Sequence, residues 1–137
     1  MRSFISIILA IGFLAVAGAC RTMKLIREPP VARLIVMAHP VEFTRIPSPD
    51  SIAPYRRAMV VNRYEVDKIV EGRYDEKQIM VAHWVIRDGR MLPGAARDKT
   101  KIYRMVLEPF NSHPEFESER LVVDMEEYRL PLYYETK

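Results

Sequence analysis

The sequence predicts an all-β domain, a small antiparallel barrel or sandwich of five or six strands, following an apolar N-terminal segment. Three observations point there. Past residue 30, apolar residues alternate with polar ones or gather in short runs rich in Val, Ile and Tyr, the periodicity of half-buried and fully buried strands. Gly, Pro and Asp punctuate those runs at short intervals. No stretch of this region carries a convincing helical period, and no internal repeat is visible.

Val31 to Ala38 is β-branched and aliphatic and stops at His39-Pro40, a first strand. Ile46 to Tyr55 holds three prolines and is a loop. Arg57 to Val70 is the longest candidate strand: Ala58, Val60, Tyr64 and Val66 share one parity with Asn62, and Ile69 takes up the apolar role at the other. A one-residue slip near Asp67-Lys68 is what a β-bulge produces, and bulges bend long strands at barrel corners. A helix competes for this segment, but the alternation and the Glu71-Gly72 stop favour a strand. Gln78 to Ile86 is apolar on both parities, as in a central strand covered on both faces, and Arg87-Asp88-Gly89 ends it. A loop containing Pro93-Gly94 runs to about Lys99. Lys101 to Glu108 alternates, with Tyr103, Met105 and Leu107 inward and Arg104 and Glu108 outward, and Pro109 closes it. Arg120 to Asp124 is a short strand, and Leu130 to Glu135 a last edge piece.

A long bent strand followed by a hairpin-like pair suits an OB-type barrel. Tyr64-Glu65-Val66, Val70-Glu71-Gly72, Ile79-Met80-Val81 and, past a Gly- and Pro-containing loop, Tyr103 to Pro109 resemble netrin modules and related OB-like barrels over residues 57–109. The resemblance implies the fold and no activity. Netrin-type protease inhibitors use a disulfide-held N-terminal cysteine, whereas Cys20 is the single cysteine here. The His83-Trp84, Leu107-Glu108-Pro109-Phe110 and His113-Pro114-Glu115 combination also resembles small uncharacterised lipoproteins of Gram-negative bacteria. That likeness implies an accessory role, loosely connected with surface-polysaccharide modification, and assigns no residue.

The first 19 residues have the layout of a cleavable secretory signal. Met1-Arg2-Ser3 carries one positive charge, Phe4 to Val16 is almost wholly apolar, and Ala17-Gly18-Ala19 supplies the small residues a signal peptidase requires. The stretch is short for a hydrocarbon core of ~30 Å, which takes ~20 residues, and it ends without a Trp or Tyr belt. It reads as a signal helix rather than a membrane span. Ala17-Gly18-Ala19-Cys20 resembles a lipobox, which implies that Cys20 takes diacylglycerol and becomes the first residue of the mature protein. A bacterial lipoprotein carries three acyl chains (palmitate and its kind), and a stable anchor needs about two. Arg21 stands where aspartate would resemble an inner-membrane retention signal, so the expected address is the Gram-negative cell envelope, at the outer membrane facing the periplasm. Residues 20–30, ending in Pro29-Pro30, form the lipidated tether, and residues 31–137 form the barrel domain.

Removing 19 residues from 137 leaves 118, enough for one domain. With Cys20 lipidated, no thiol remains for a disulfide or a thiolate metal site, so core packing must hold the domain. Charge is unevenly spread. Arg87, Arg90, Arg97, Lys99, Lys101 and Arg104 face only Asp88 and Asp98, whereas residues 115–135 are strongly acidic. A dipolar chain in the envelope does not fit nucleic-acid binding. Past the signal the only glycines are Gly72, Gly89 and Gly94, which excludes a phosphate-cradling Gly-rich loop, and no Gly-x-Ser-x-Gly elbow is present.

Four candidate sites remain. His83, on a central strand, is either a ligand or proton carrier, or a hydrogen-bonded core residue. Trp84, the sole tryptophan, offers a stacking platform for a sugar, or core packing. His113, Glu115, Glu117 and Glu119 supply imidazole and oxygen ligands suited to Zn²⁺ or Ca²⁺, or a solvated acidic rim; an extended segment would align the three carboxylates. The basic loop from Arg87 to Arg104 suits an anionic polysaccharide, a lipid headgroup or an acidic protein face, or is simply a solvated loop.

The resulting expectation is a non-enzymatic, envelope-anchored accessory lipoprotein. It would need no cofactor and would bind a protein or polysaccharide through Arg87, Arg90, Arg97, Lys99 and Arg104 beside Trp84. The alternative is a metal-binding protein or metal-dependent envelope enzyme using His83 or His113 with Glu115 and Glu117.

Overall fold

The structure, a computed structural model, describes residues 30–126 and 129–136; the expected signal helix, Cys20 and the tether up to residue 29 lie outside the described residues. Among these residues the chain forms β1 (Leu34–Glu42), β2 (Ala58–Glu71), β3 (Gln78–Arg87), β4 (Arg90–Met91), β5 (Tyr103–Pro109), β6 (Arg120–Val122) and β7 (Leu132–Thr136). The sheet closes in the order β1, β2, β3, β7, β5 and back to β1, an OB-like five-stranded barrel to which β4 and β6 are added. Pairing within the barrel is antiparallel except between β3 and β7, which run parallel from Met80↔Leu132 to Ala82↔Tyr134. A parallel pair needs a long connection, and residues 88–131 supply it while forming β5 on the way.

The largest correction to the sequence reading concerns β7. Leu130 to Glu135 reads as an edge piece, yet β7 sits between β3 and β5 and closes the barrel. Its alternation explains why: Tyr133 packs into the barrel core, while Leu132 and Tyr134 pack on the outer face with Phe110, Phe116, Leu121 and Met125. Nothing local in Leu-Tyr-Tyr-Glu-Thr tells an edge from a centre. β1 also runs through His39-Pro40 instead of stopping there. Its ladder to β5 ends at Ala38, so Pro40, which has no N–H to give, lies where β1 has β2 as its only barrel neighbour.

β2 bends as expected. Met37 pairs with Lys68 and Ala38 with Val66, so Asp67 is the extra residue of a bulge, and Val70 is skipped in the same way between Ile69 and Glu71. Beyond the bulge Ile69 does not enter the core and is exposed. Gly72 ends the strand at φ +91, where a Cβ would come within 2.7 Å of the Arg33 carbonyl oxygen, so both the backbone angle and the space require glycine.

β3 is buried on both faces from Ile79 to Ile86. Its inner face joins Leu34, Val36, Ala38, Tyr64, Met105 and Leu107 in the barrel interior. Its outer face, Met80, Ala82 and Trp84, is covered by Phe110, Phe116, Leu121 and Met125 from the long β5–β7 connection. β3 turns into β4 at Asp88 (φ 52) and Gly89 (φ 73), two left-handed residues that make a tight hairpin turn. By sequence Arg87-Asp88-Gly89 marks the end of a strand; in the structure the Asp-Gly pair turns the chain straight into β4.

Candidate functional site

Barrel closure brings four polar side chains to one spot on the inner wall. His83 of β3 and Glu135 of β7 are separated by 52 positions in sequence, yet His83 Nδ1 lies 2.6 Å from Glu135 Oε2. His83 Nε2 lies 2.8 Å from the Tyr64 hydroxyl of β2. Arg97, from the β4–β5 loop, reaches in to the same Glu135 oxygen, and its Nη2 sits 3.5 Å from His83 Nδ1. The Arg97 guanidinium stacks over Tyr103, 4.5 Å from the ring centre. The Tyr103 hydroxyl accepts from the Asp98 backbone N–H at 2.9 Å, which ties the loop to the barrel.

The protonation states follow from the surroundings. Burial pushes His83 below its ordinary value and outweighs the pull of Glu135, so the imidazole is neutral at pH 7. A neutral imidazole beside a carboxylate donates from Nδ1, which leaves Nε2 to accept from the Tyr64 hydroxyl. Burial alone would raise Glu135, but the bonds from His83 and Arg97 more than offset it and hold the carboxyl below its usual range. Burial raises the Tyr64 phenol strongly, so its proton stays in place. Carboxylate, imidazole and hydroxyl thus stand in the order of a hydrolase relay. The hydroxyl, however, is fully buried. The hydrogen-bonded series joins β2, β3 and β7 across the barrel interior.

An open cleft of 460 Å³ leads from solvent to this network, with His83, Arg97 and Glu135 on its floor and Leu92 to Ala95 along one wall. By sequence Glu135 belongs to an acidic stretch and ends the last strand, Leu130 to Glu135, with nothing to mark it as a partner of His83. Its inward parity two residues past Tyr133 was the available signal.

Trp84 takes the other face of β3. Arg57 and Arg87 lie over its ring at 4.5 and 5.3 Å, Phe116 meets it edge to face at 5.8 Å, and its indole N–H donates to the Tyr134 hydroxyl at 3.2 Å. The ring is nearly fully buried and only borders the cleft. Of the basic set, Arg97 is turned inward, whereas Arg90, Lys99, Lys101 and Arg104 are exposed. Arg57, Arg63, Arg73 and Arg97 have ion-pair partners among the described residues; Arg90, Lys99, Lys101 and Arg104 have none there.

The acidic segment is not extended. Pro114–Ser118 forms a short 3-10 turn, so alternation does not align its carboxylates. His113 is clamped instead, its Nε2 2.7 Å from Glu108 and its Nδ1 2.9 Å from Glu115. Its ring stacks on Phe116 at 4.9 Å. Partial burial lowers the His113 pKa, but the two carboxylates overcome this and raise it above the ordinary value. Glu119 pairs with Arg57, and Glu117 is exposed. His83 and His113 each have both ring nitrogens bonded within the protein. Among the described residues no group of three or more His, Cys, Asp or Glu side chains is placed to hold a metal ion.

These features define a small OB-like barrel with a buried polar network opening on a cleft and an exposed cationic loop. Comparison with protein-family models, with characterised proteins and with solved structures finds no match to this chain.

Proposed function

We propose that this chain is a non-catalytic binding module, lipid-anchored at Cys20 in the bacterial envelope, that holds an anionic polysaccharide or the acidic face of an envelope protein against its 87–104 loop. The observation that supports it best is the contrast within the basic set. Arg97 is consumed inside the barrel, while Arg90, Lys99, Lys101 and Arg104 stand exposed without an ion-pair partner among the described residues, Lys99 lying 5.4 Å over the Phe43 ring, with only Asp88 and Asp98 nearby in sequence. Asp98 is itself committed to Thr100 through bonds of 2.8 and 2.6 Å. Unpaired surface cations raise the local concentration of an anionic partner and speed its arrival.

The test is a crosslinking pull-down from envelope membranes with the lipidated full chain, the Arg90→Ser/Lys99→Ser/Arg104→Ser variant and a Cys20→Ser control. Arg97 is left intact because serine there would remove the cation paired with Glu135 inside the barrel. A discrete partner recovered by the wild type and lost from both variants is the expected result. Equal recovery by wild type and triple variant would sink the loop's role. Equal recovery by Cys20→Ser would sink the anchor's.

A further inference from the structure

We infer that the cleft above His83, Arg97 and Glu135 is a binding site for one unit of a neutral sugar, gripped through two adjacent hydroxyls. The floor has the right chemistry. Arg97 and Glu135 cancel each other's charge through their ion pair, and His83 is neutral, so the floor carries no net charge to attract a free anion or cation. Both bonds into Glu135 end on Oε2, and both Arg97 contacts leave from Nη2. Oε1 of Glu135 and Nη1 of Arg97 have no hydrogen-bond partner among the described residues, Arg97 Nε is buried without one, and both residues line the cleft, so this ion pair keeps spare acceptor and donor capacity. Vicinal hydroxyls match that arrangement: one O–H donates to Oε1 while the neighbouring oxygen accepts from Nη1–H.

The walls fit as well. Leu92, Pro93 and Ala95 give an apolar side for the C–H face of a sugar ring, and 460 Å³ falls within the roughly 300–1,000 Å³ of small-molecule sites. Trp84 contributes no stacking face, because Arg57 and Arg87 already lie over its ring. Selectivity must therefore come from the hydrogen-bonding pair. This inference rests on the polysaccharide branch of the proposed function, but it is tested apart from it, since single neutral sugars do not engage the cations of the loop.

Trp84, the sole tryptophan of the chain, borders the cleft and supplies the readout. The full chain in a sugar-free zwitterionic detergent is titrated with glucose, mannose, galactose and N-acetylglucosamine while its fluorescence is followed. Acetate, inorganic phosphate and N-methylacetamide serve as the other probes. The variants are Arg97→Lys, which removes the second guanidinium nitrogen, and Gly94→Asn. Gly94 lies at φ +74 with no heavy atom within 4 Å of a built Cβ, and asparagine tolerates that backbone, so Gly94→Asn narrows the cleft without touching the network.

The expected result is a saturable response to at least one sugar, weakened about tenfold by Arg97→Lys, the equivalent of one lost hydrogen bond, and weakened also by Gly94→Asn. No saturable response to any sugar from the folded wild type overturns the inference. So does a response to acetate or phosphate alone, which would mark an anion site, or to N-methylacetamide alone, which would mark a peptide site. Sugar binding unchanged in both variants would place it outside the cleft and overturn the inference equally. If the pull-down fails while the titration succeeds, the cationic loop falls and the cleft stands.

Discussion

His83 and His113 are two histidines with opposite electrostatic fates. Desolvation dominates at His83, deep in the barrel, while two carboxylates dominate at His113, on the outer face. A two-dimensional NMR titration of the imidazoles should show His83 as the Nδ1–H tautomer, gaining its second proton below pH 6.5, and His113 losing its proton above pH 6.5. The reverse order would contradict the hydrogen-bond assignment. Tyr64→Phe removes the one donor to His83 Nε2 and leaves a buried acceptor unpaired, so it should cost about 1–3 kcal/mol in a denaturant melt. At this scale the sequence was half legible. His83 could be read as a hydrogen-bonded core residue from its parity, but its partners come from β2 and β7 and from a loop, and no local pattern joins positions 64, 83, 97 and 135.

Strands β1, β2, β3 and β5 were readable because alternation and punctuation act over a few residues, and the bulge at Asp67 was readable because it flips that alternation. In the β5–β7 connection only the short strand β6, Arg120–Val122, was readable. Phe110, Phe116 and Met125 serve as a lid over the outer face of β3, and their spacing follows no strand or helix period because they lie on 3-10 turns and irregular chain. Gly72 follows the last residue of β2 and opens the turn toward β3. Gly72→Ala meets both a left-handed φ and the Arg33 carbonyl, so it should destabilise by about 1–3 kcal/mol. Gly94→Ala, with a similar φ but open space, should cost less. Thermal melts of the two variants side by side separate the steric part from the backbone part.

For the molecule as a whole, the titrating groups set a stability optimum. His83 and Glu135 are held below their unfolded values, so their contribution is present at higher pH and is lost on acidification. For His83 the loss begins as pH falls below about 6.5, and for Glu135 as it falls below about 4.5. His39, bonded to Asp67, and His113 are raised, so their contribution is complete below about pH 6.5 and is lost as pH rises through their folded values. A pH series of melting temperatures should therefore fall on both sides of near-neutral pH. In His113→Gln the alkaline limb should flatten while the acid limb persists; an unchanged alkaline limb would remove His113 from this account.

The placement of β7 also bears on the order of events in folding. Two strands made early, β3 and β5, each keep an open edge until the last strand arrives, and β3 must then accept a partner from some fifty residues further along the chain. Such distant pairing is slow and comes late. A chain ending after Leu130 should melt without cooperativity, whereas the full chain melts in one step. During synthesis the barrel cannot lock prematurely, because β3 and β5 stay unjoined until β7 has been made.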